Sequence, residues 1–104
     1  DTATTEIYTL SLHDALPICC ILPLHGDHYT NFLKAYDIKD VNDIHRYIIF
    51  LEDAKLGHMM QIEKQVYADW QAGDVVSWTG TTSHAAYNMG IEHRYTMQIT
   101  CSNK

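Results

Sequence analysis

The stretch Arg94-Tyr-Thr-Met-Gln-Ile-Thr-Cys101 alternates polar and apolar residues without interruption. A period of two is typical of a β-strand, because successive side chains of a strand point to opposite faces of its sheet. The sequence therefore predicts a strand here, with one face that is wholly polar.

Upstream of this stretch, several segments have the composition of further short strands. The longest, Ile44–Leu51, is β-branched, aromatic and apolar on both faces, which predicts a central strand. Shorter strands are predicted over residues 21–25, 57–62, 66–70, 75–78 and 84–88, with turn residues between them. Apolar residues at helical spacing predict one short helix over residues 29–37. The pattern as a whole predicts a mainly all-β domain, a sandwich or barrel with one short helix.

The composition describes one small acidic domain. The chain has 104 residues, with 13 acidic and 7 basic side chains and a formal charge of −6. This balance disfavours nucleic acid as a charge-driven partner. The longest near-apolar run, over residues 15–24, contains both prolines and is too short to cross a membrane. We therefore expect a cytoplasmic protein whose 3 cysteines are reduced.

The N-terminal segment differs in character from the rest of the chain. Residues 7–18 resemble the translated sequencing-adapter read-through found at the ends of environmental gene assemblies. We therefore expect a non-native or disordered leader over residues 1–19, the domain over residues 20–101 and a tail over residues 102–104, with the domain truncated at its N-terminus. The alternative is an ordinary turn or short helix capped by Ser11. Neither interpretation gives this segment a catalytic role.

The chain contains 7 histidines, which suggests a metal site. His25 and Asp27 lie two positions apart, on the same side of an extended segment, where both side chains can reach one cation. His84 begins a predicted strand after a loop and is a candidate third ligand. Two histidines and one carboxylate form the facial arrangement of non-haem Fe(II) sites.

Each of these candidate ligands also has a structural interpretation. His25 is a candidate for a hydrogen bond to the backbone at a strand end. His84 is a candidate cap for the loop that precedes it. Asp27 precedes the predicted helix and is a candidate N-cap, worth about 1 kcal/mol.

Arg94 and Thr96 share the polar face of the last predicted strand. A guanidinium with a hydroxyl beside it suits a carboxylate, because charge-assisted hydrogen bonds are strong. The alternative for Arg94 is an ion pair at the strand end, with Glu92 or a neighbouring carboxylate.

Taken in order, His25-x-Asp27, His84 and Arg94-x-Thr96 resemble the Fe(II)- and 2-oxoglutarate-dependent oxygenases of double-stranded β-helix fold. The surrounding phrases resemble the small members carried by phages and environmental microbes: Phe50-Leu-Glu-Asp53, Trp70-Gln-Ala-Gly-Asp74, His84-Ala-Ala-Tyr-Asn88 and Arg94-Tyr-Thr-Met-Gln-Ile-Thr100. The likeness covers residues 20–101.

The resemblance implies a double-stranded β-helix (jelly-roll, cupin-like) and a hydroxylase or oxidative demethylase of unidentified substrate. It implies that His25, Asp27 and His84 hold Fe(II), where O₂ and the keto-acid end of 2-oxoglutarate bind. Arg94 and Thr96 would bind the distal carboxylate of 2-oxoglutarate. The remaining cofactor-binding candidates are Arg46 and His58, on neighbouring strands, either of which is placed to help with the inner carboxylate.

The acidic balance leaves the substrate class open, the lack of a recognisable secretory signal predicts the cytoplasm, and the resemblance adds a microbe or a phage-infected host. The substrate would be a small molecule, a protein or a nucleotide, in the cytoplasm of a microbe or a phage-infected host. Two other functions stay open. One is a cupin-type metal- or ligand-binding module, since His84-x₃-Asn88 resembles the second cupin motif, and the other is a catalytically inert β-barrel binding domain.

Overall fold

Two four-stranded antiparallel sheets make up the fold. The structure is a computed structural model that describes residues 6–13 and 19–103. Its strands are β1 (Glu6–His13), β2 (Cys20–His25), β3 (Ile44–Phe50), β4 (His58–Ile62), β5 (Gln65–Tyr67), β6 (Val75–Thr79), β7 (His84–Asn88) and β8 (Thr96–Asn103). A short helix α1 (Thr30–Ala35) and a 3₁₀ turn (Val41–Asp43) connect β2 to β3.

The strand order is β1-β8-β3-β6 in the first sheet and β2-β7-β4-β5 in the second. Every pairing is antiparallel. Eight strands in two facing sheets form a jelly roll, the double-stranded β-helix. The predicted fold class is confirmed, and so are the short helix and the interior position of β3, which lies between β8 and β6.

The apolar core lies between the two sheets. Ile48, Phe50 and Trp78 contribute from the first sheet, and Met60 contributes from the second. Trp70 reaches the same cluster from the loop after β5, and its ring stacks on Phe50 with centroids 4.0 Å apart. The predicted strand over residues 66–70 is therefore too long: β5 ends at Tyr67, and the chain then leaves the sheet and carries Trp70 into the core.

The polar face of β8 points into the barrel. Thr96, Thr100 and Ser102 are buried, whereas Tyr95, just before the strand, is 39% exposed. A strand at a solvated surface normally turns its polar residues outward. The inverted alternation of β8 therefore lines part of the interior with hydroxyl groups instead of methyl groups.

The expected leader and tail lie partly outside the described residues, which leave out 1–5, 14–18 and 104. Glu6–His13, within the expected leader, forms β1 and pairs with β8 along its whole length. Its sequence alternates Tyr8, Leu10 and Leu12 with Thr9 and Ser11, which is compatible with a strand. At the other end, β8 continues to Asn103, past the expected domain end at residue 101.

Among the described residues, no helix has the length and apolar character needed to span a membrane.

Candidate metal centre

His25, Asp27 and His84 meet at one end of the barrel. Their ligand atoms all lie within 4.8 Å of one another. The Nε2 atom of His25 is 3.6 Å from Oδ1 of Asp27, and the Nε2 atom of His84 is 3.2 Å from Oδ2. The arrangement follows from the sheet, because β2 and β7 pair with His25 directly opposite His84.

The backbone fixes the orientation of both imidazoles. The Nδ1 atom of His25 is 2.7 Å from the carbonyl oxygen of Pro23, and Nδ1 of His84 is 3.0 Å from that of Thr82. Because a carbonyl oxygen only accepts, each Nδ1 carries the proton, and the neutral ring then presents the lone pair of Nε2. Both Nε2 atoms face Asp27. Each ring therefore has the tautomer and the orientation that metal binding requires.

Gly26 allows the two ligand-bearing segments to approach each other. A Cβ atom at this position would lie 2.5 Å from the carbonyl oxygen of Thr81, in the loop that leads to His84. Any side chain at Gly26 would therefore push the His25–Asp27 segment away from His84.

Burial keeps His84 neutral. Its residue is 6% exposed, and its ring stacks on Trp78 with centroids 4.2 Å apart. Burial lowers the pKa of His84 below its usual value, while the Thr82 carbonyl and Asp27 oppose this shift more weakly. A neutral imidazole is the form that ligates metals.

Asp27 does not cap the helix. The N-cap of α1 is Tyr29, and no side chain accepts a hydrogen bond there. The Oδ2 atom of Asp27 instead accepts from Nη1 of Arg46 at 3.1 Å. The N-cap interpretation of Asp27 is therefore wrong, and its carboxylate belongs to the cluster.

Arg94 is buried beside this cluster with few partners. It is 6% exposed, its Nη1 donates to the carbonyl oxygen of Met59 at 3.2 Å, and its guanidinium lies over the ring of Trp70. Its Nε atom is buried without a hydrogen-bond partner among the described residues. Burial lowers the pKa of Arg94 to about 10, which still leaves a cation at neutral pH.

The ion pair expected as an alternative for Arg94 is not formed. Glu92 lies 4.0 Å from Nζ of Lys55, and within the described part of the chain no carboxylate pairs with Arg94. Arg94 also precedes β8, which begins at Thr96 and not at residue 94 as predicted.

The structure separates the two remaining candidates. Arg46 lines the pocket, whereas His58 does not. The Nδ1 atom of His58 accepts from the backbone N–H of Lys55 at 3.2 Å, so its Nε2 donates to the carbonyl of Glu92 at 2.9 Å. With both nitrogens used by the backbone, His58 joins two loops and has no atom left for a cofactor.

One pocket of about 300 Å³ is lined by the three cluster residues and by Arg46, Arg94 and Thr96, but not by His58. Its polar lining is His25, Asp27, Arg46, His84, Arg94, Thr96 and Gln98, and its apolar lining is Leu22, Ile48, Met60, Trp78 and Ala86. Two arginines oppose one aspartate, so this pocket is positive in a chain of formal charge −6. A positive, largely buried pocket favours an anionic ligand.

The donor set suits a divalent transition metal. Ligands bound cis at about 2.1 Å lie about 3 Å from one another, so the side chains need only small adjustments to bind one ion. Two imidazoles and one carboxylate leave open positions for further ligands, as in non-haem Fe(II) sites.

Sequence reasoning missed two polar groups near the cluster. Gln98 lies on the polar face of β8, which was a usable signal. Tyr29 lies within the apolar helical pattern over residues 29–37, yet its hydroxyl is buried beside the cluster, and burial raises its pKa.

Similar folds occur among solved structures of cupin and double-stranded β-helix proteins. One is a predicted oxalate decarboxylase from Thermotoga maritima, with a TM-score of 0.57 and 14% identity over 92% of this chain and 65% of that one. A double-stranded β-helix protein from Klebsiella pneumoniae has a TM-score of 0.55 and 11% identity over 98% and 71% of the two chains. The cupin domain of Cnp3 from Schizosaccharomyces pombe has a TM-score of 0.55 and 9% identity over 100% and 60%.

These likenesses establish the fold as a cupin-type double-stranded β-helix. The chain spans less than two thirds of the length of the Thermotoga and Schizosaccharomyces chains. No protein-family model matches the sequence, and no curated protein gives a significant match.

Proposed function

We propose that this protein is an Fe(II)- and 2-oxoglutarate-dependent dioxygenase that hydroxylates, or oxidatively demethylates, a substrate still to be identified. The observation that carries the proposal is a buried arginine without a carboxylate partner, in the same pocket as two histidines and a carboxylate. A metal site alone does not call for Arg94, whereas a dicarboxylate that chelates the metal does.

His25, Asp27 and His84 would hold the metal through Nε2, a carboxylate oxygen and Nε2. Fe(II) bound there would, with 2-oxoglutarate and O₂ as co-substrates, supply the oxidative decarboxylation to succinate and CO₂ that is coupled to hydroxylation of a C–H bond. The backbone carbonyls of Pro23 and Thr82 keep both imidazoles in the ligating tautomer. Metal binding therefore requires no change of tautomer at either histidine.

Arg94 and Thr96 would bind the distal carboxylate of 2-oxoglutarate. The buried Nε–H of Arg94 has no described partner, so a carboxylate would satisfy a donor that otherwise costs stability. The Thr96 side chain is in the same pocket lining. A dianion also complements a pocket that holds two arginines and, when loaded, a divalent cation.

The apolar wall of the pocket would keep water from the reacting groups. Ile48, Met60 and Trp78 are each less than 10% exposed and lie beside the cluster. Trp78 covers one face of the His84 ring. The open side of the site is formed by His25 and Asp27, whose side chains are 33% and 32% exposed. We place the unidentified substrate, a small molecule, a protein or a nucleotide, on this open side, and we place its reaction in the cytoplasm.

Isothermal titration with 2-oxoglutarate, using protein loaded with Fe(II) under anaerobic conditions, tests the proposal. Pyruvate is the matched control ligand, because it keeps the keto-acid end and lacks the distal carboxylate. We expect metal-dependent binding of 2-oxoglutarate at least about 10-fold tighter than that of pyruvate, the lower limit for one charge-assisted hydrogen bond. Equal affinities would remove the role of Arg94, and no binding of either ligand would overturn the proposal.

A second candidate is a cupin-type metal-binding module that does not use 2-oxoglutarate. The fold of the cupin neighbours favours it, and one of them is a predicted oxalate decarboxylase. Asn88, the other residue of the cupin-like motif, is buried and bonds the backbone of Gly90 and Glu92. Metal binding without any response to 2-oxoglutarate would favour this module, and a folded protein that binds no divalent metal would favour the inert barrel.

A further inference from the structure

Arg46 occupies a position where a cation is costly. On the inward face of β3 it lies between Ile44 and Ile48, which are both buried. The register of the first sheet places it opposite Trp78 on β6 and Thr100 on β8. A charge in such surroundings loses its hydration and must be compensated by partners.

Three groups hold the guanidinium of Arg46. Its Nη1 donates to Oδ2 of Asp27 at 3.1 Å, and its Nε donates to the hydroxyl oxygen of Thr100 at 3.1 Å. Its Cζ lies 4.6 Å from the centroid of the Tyr29 ring, at the start of α1. The side chain is only 16% exposed. Its orientation is therefore set by β8 and by α1 before any ligand binds.

The bond to Arg46 restricts the carboxylate of Asp27. A carboxylate on a loop after an edge strand is free to rotate unless another group holds it. With Oδ2 bound to Arg46, Oδ1 remains on the side of His25, 3.6 Å from its Nε2. Groups that hydrogen-bond a ligating carboxylate in this way fix its direction toward the metal.

We propose that Arg46 is a positioning residue of the metal centre, and that it holds Asp27 for ligation and does not bind 2-oxoglutarate. The inference rests on the metal site of the proposed function. It assigns different work to the two arginines of the pocket: Arg46 serves the metal ligand, and Arg94 serves the organic anion.

The sign of the effect on metal affinity separates this role from a simple charge effect. A guanidinium near a divalent cation repels it, so loss of the charge alone would tighten metal binding. Loss of a positioning residue weakens metal binding, because Asp27 must then be ordered when the metal binds. Substitution by lysine keeps the charge and loses the forked geometry, so it isolates the positioning role.

The experiment is a titration of the full chain with Co(II) in the absence of 2-oxoglutarate, followed by quenching of tryptophan fluorescence. Trp78 stacks on His84, so a metal bound at this ring quenches its emission. The variants are Arg46→Met, Arg46→Lys and Thr100→Val, and Arg94→Met is the matched control that removes the other buried arginine. Circular dichroism verifies that each variant is folded.

We expect Arg46→Met to weaken Co(II) binding by about 10- to 100-fold, as is usual for loss of a group that orients a metal ligand. Arg46→Lys should weaken it by about 10-fold and Thr100→Val by a few-fold. Arg94→Met should not weaken it, because loss of that charge alone leaves Co(II) affinity equal or tighter. If Arg46→Met does not fold, the lysine and valine variants decide the result.

Affinity of the Arg46→Lys variant equal to or tighter than that of the wild type would overturn the inference. Equal weakening in Arg94→Met would do the same, because the effect would then not depend on the bond to Asp27. Failure of the oxygenase proposal would give a different result: the wild-type protein would bind Co(II) but would not bind 2-oxoglutarate.

Discussion

Arg46 and Arg94 line the same pocket but differ in what surrounds them. Arg46 has a carboxylate, a hydroxyl and an aromatic ring as partners, all supplied by the chain. Arg94 is more deeply buried, has one carbonyl and one ring, and keeps an Nε–H without a partner among the described residues. A buried arginine that is paired with other side chains helps to hold the site together. A buried arginine without a carboxylate partner is available to bind an anionic ligand.

The largest effect is expected from Asp27→Ala, which leaves Arg46 without its carboxylate partner and removes a metal ligand. We expect Fe(II) affinity to fall by more than about 100-fold, more than loss of an orienting group alone would produce. Anaerobic titration calorimetry measures it. Asp27→Asn is the control, since it keeps an acceptor for Arg46 but removes the charge, and it should lose metal binding too. Equal Fe(II) affinity in wild type and Asp27→Ala would contradict the assignment of the metal site.

Arg94→Met is expected to act on 2-oxoglutarate alone. Loss of one charge-assisted hydrogen bond, worth about 1.5 to 3 kcal/mol, corresponds to about 10- to 150-fold weaker binding. Pyruvate affinity should stay as in the wild type and metal affinity should not fall, because neither ligand uses Arg94. An equal loss of affinity for pyruvate would show that Arg94 acts on the whole site and not on the distal carboxylate.

The stability of the metal-free protein should respond to the two arginines with opposite sign. Arg46→Met removes the guanidinium donor of Asp27 and Thr100 and should lower the free energy of unfolding by about 1 to 2 kcal/mol, a modest value because Asp27 is partly screened by solvent. Arg94→Met removes a buried cation without a carboxylate partner and should raise it by about 1 kcal/mol. Urea unfolding measures both. Destabilisation by Arg94→Met as large as that by Arg46→Met would contradict the contrast between them.

The smallest effect is expected from Thr96→Val, which preserves shape and removes one hydroxyl from the ligand end of the pocket. A neutral hydrogen bond is worth about 0.5 to 1.5 kcal/mol, so 2-oxoglutarate affinity should fall by about 2- to 10-fold with Co(II) affinity unchanged. Thr100→Val, four residues further along β8, should show the reverse pattern, because its hydroxyl accepts a hydrogen bond from Arg46. If both variants changed the 2-oxoglutarate and Co(II) affinities in the same way, Thr96 and Thr100 would not serve different ligands.

The fold was largely predictable because its strands carry local signals. The alternation over residues 94–101 predicts β8, and the apolar stretch at Ile44–Leu51 predicts an interior strand. Alternation is symmetrical, however, and does not state which face is buried. The inward direction of the polar face of β8 depends on the second sheet, which closes over it.

Spacing along the chain predicts only the part of the candidate site whose residues are close in sequence. His25 and Asp27 are close in sequence, so their proximity follows from an extended backbone. The meeting of His25 with His84 depends on the register between β2 and β7. The choice between Arg46 and His58 also depends on tertiary contacts, because the cross-strand neighbours Trp78 and Thr100 and the loop carbonyl of Glu92 are far from them in sequence.

The most direct test of the account is an anaerobic titration of Fe(II) into protein with excess 2-oxoglutarate, followed by visible absorption. A keto acid chelated to a facial-triad iron gives a weak metal-to-ligand charge-transfer band. The account predicts that the band appears in the wild type, is lost in Asp27→Ala, and in Arg94→Met needs far more 2-oxoglutarate to form. A folded wild-type protein that binds Fe(II) but gives no band at any 2-oxoglutarate concentration would contradict it.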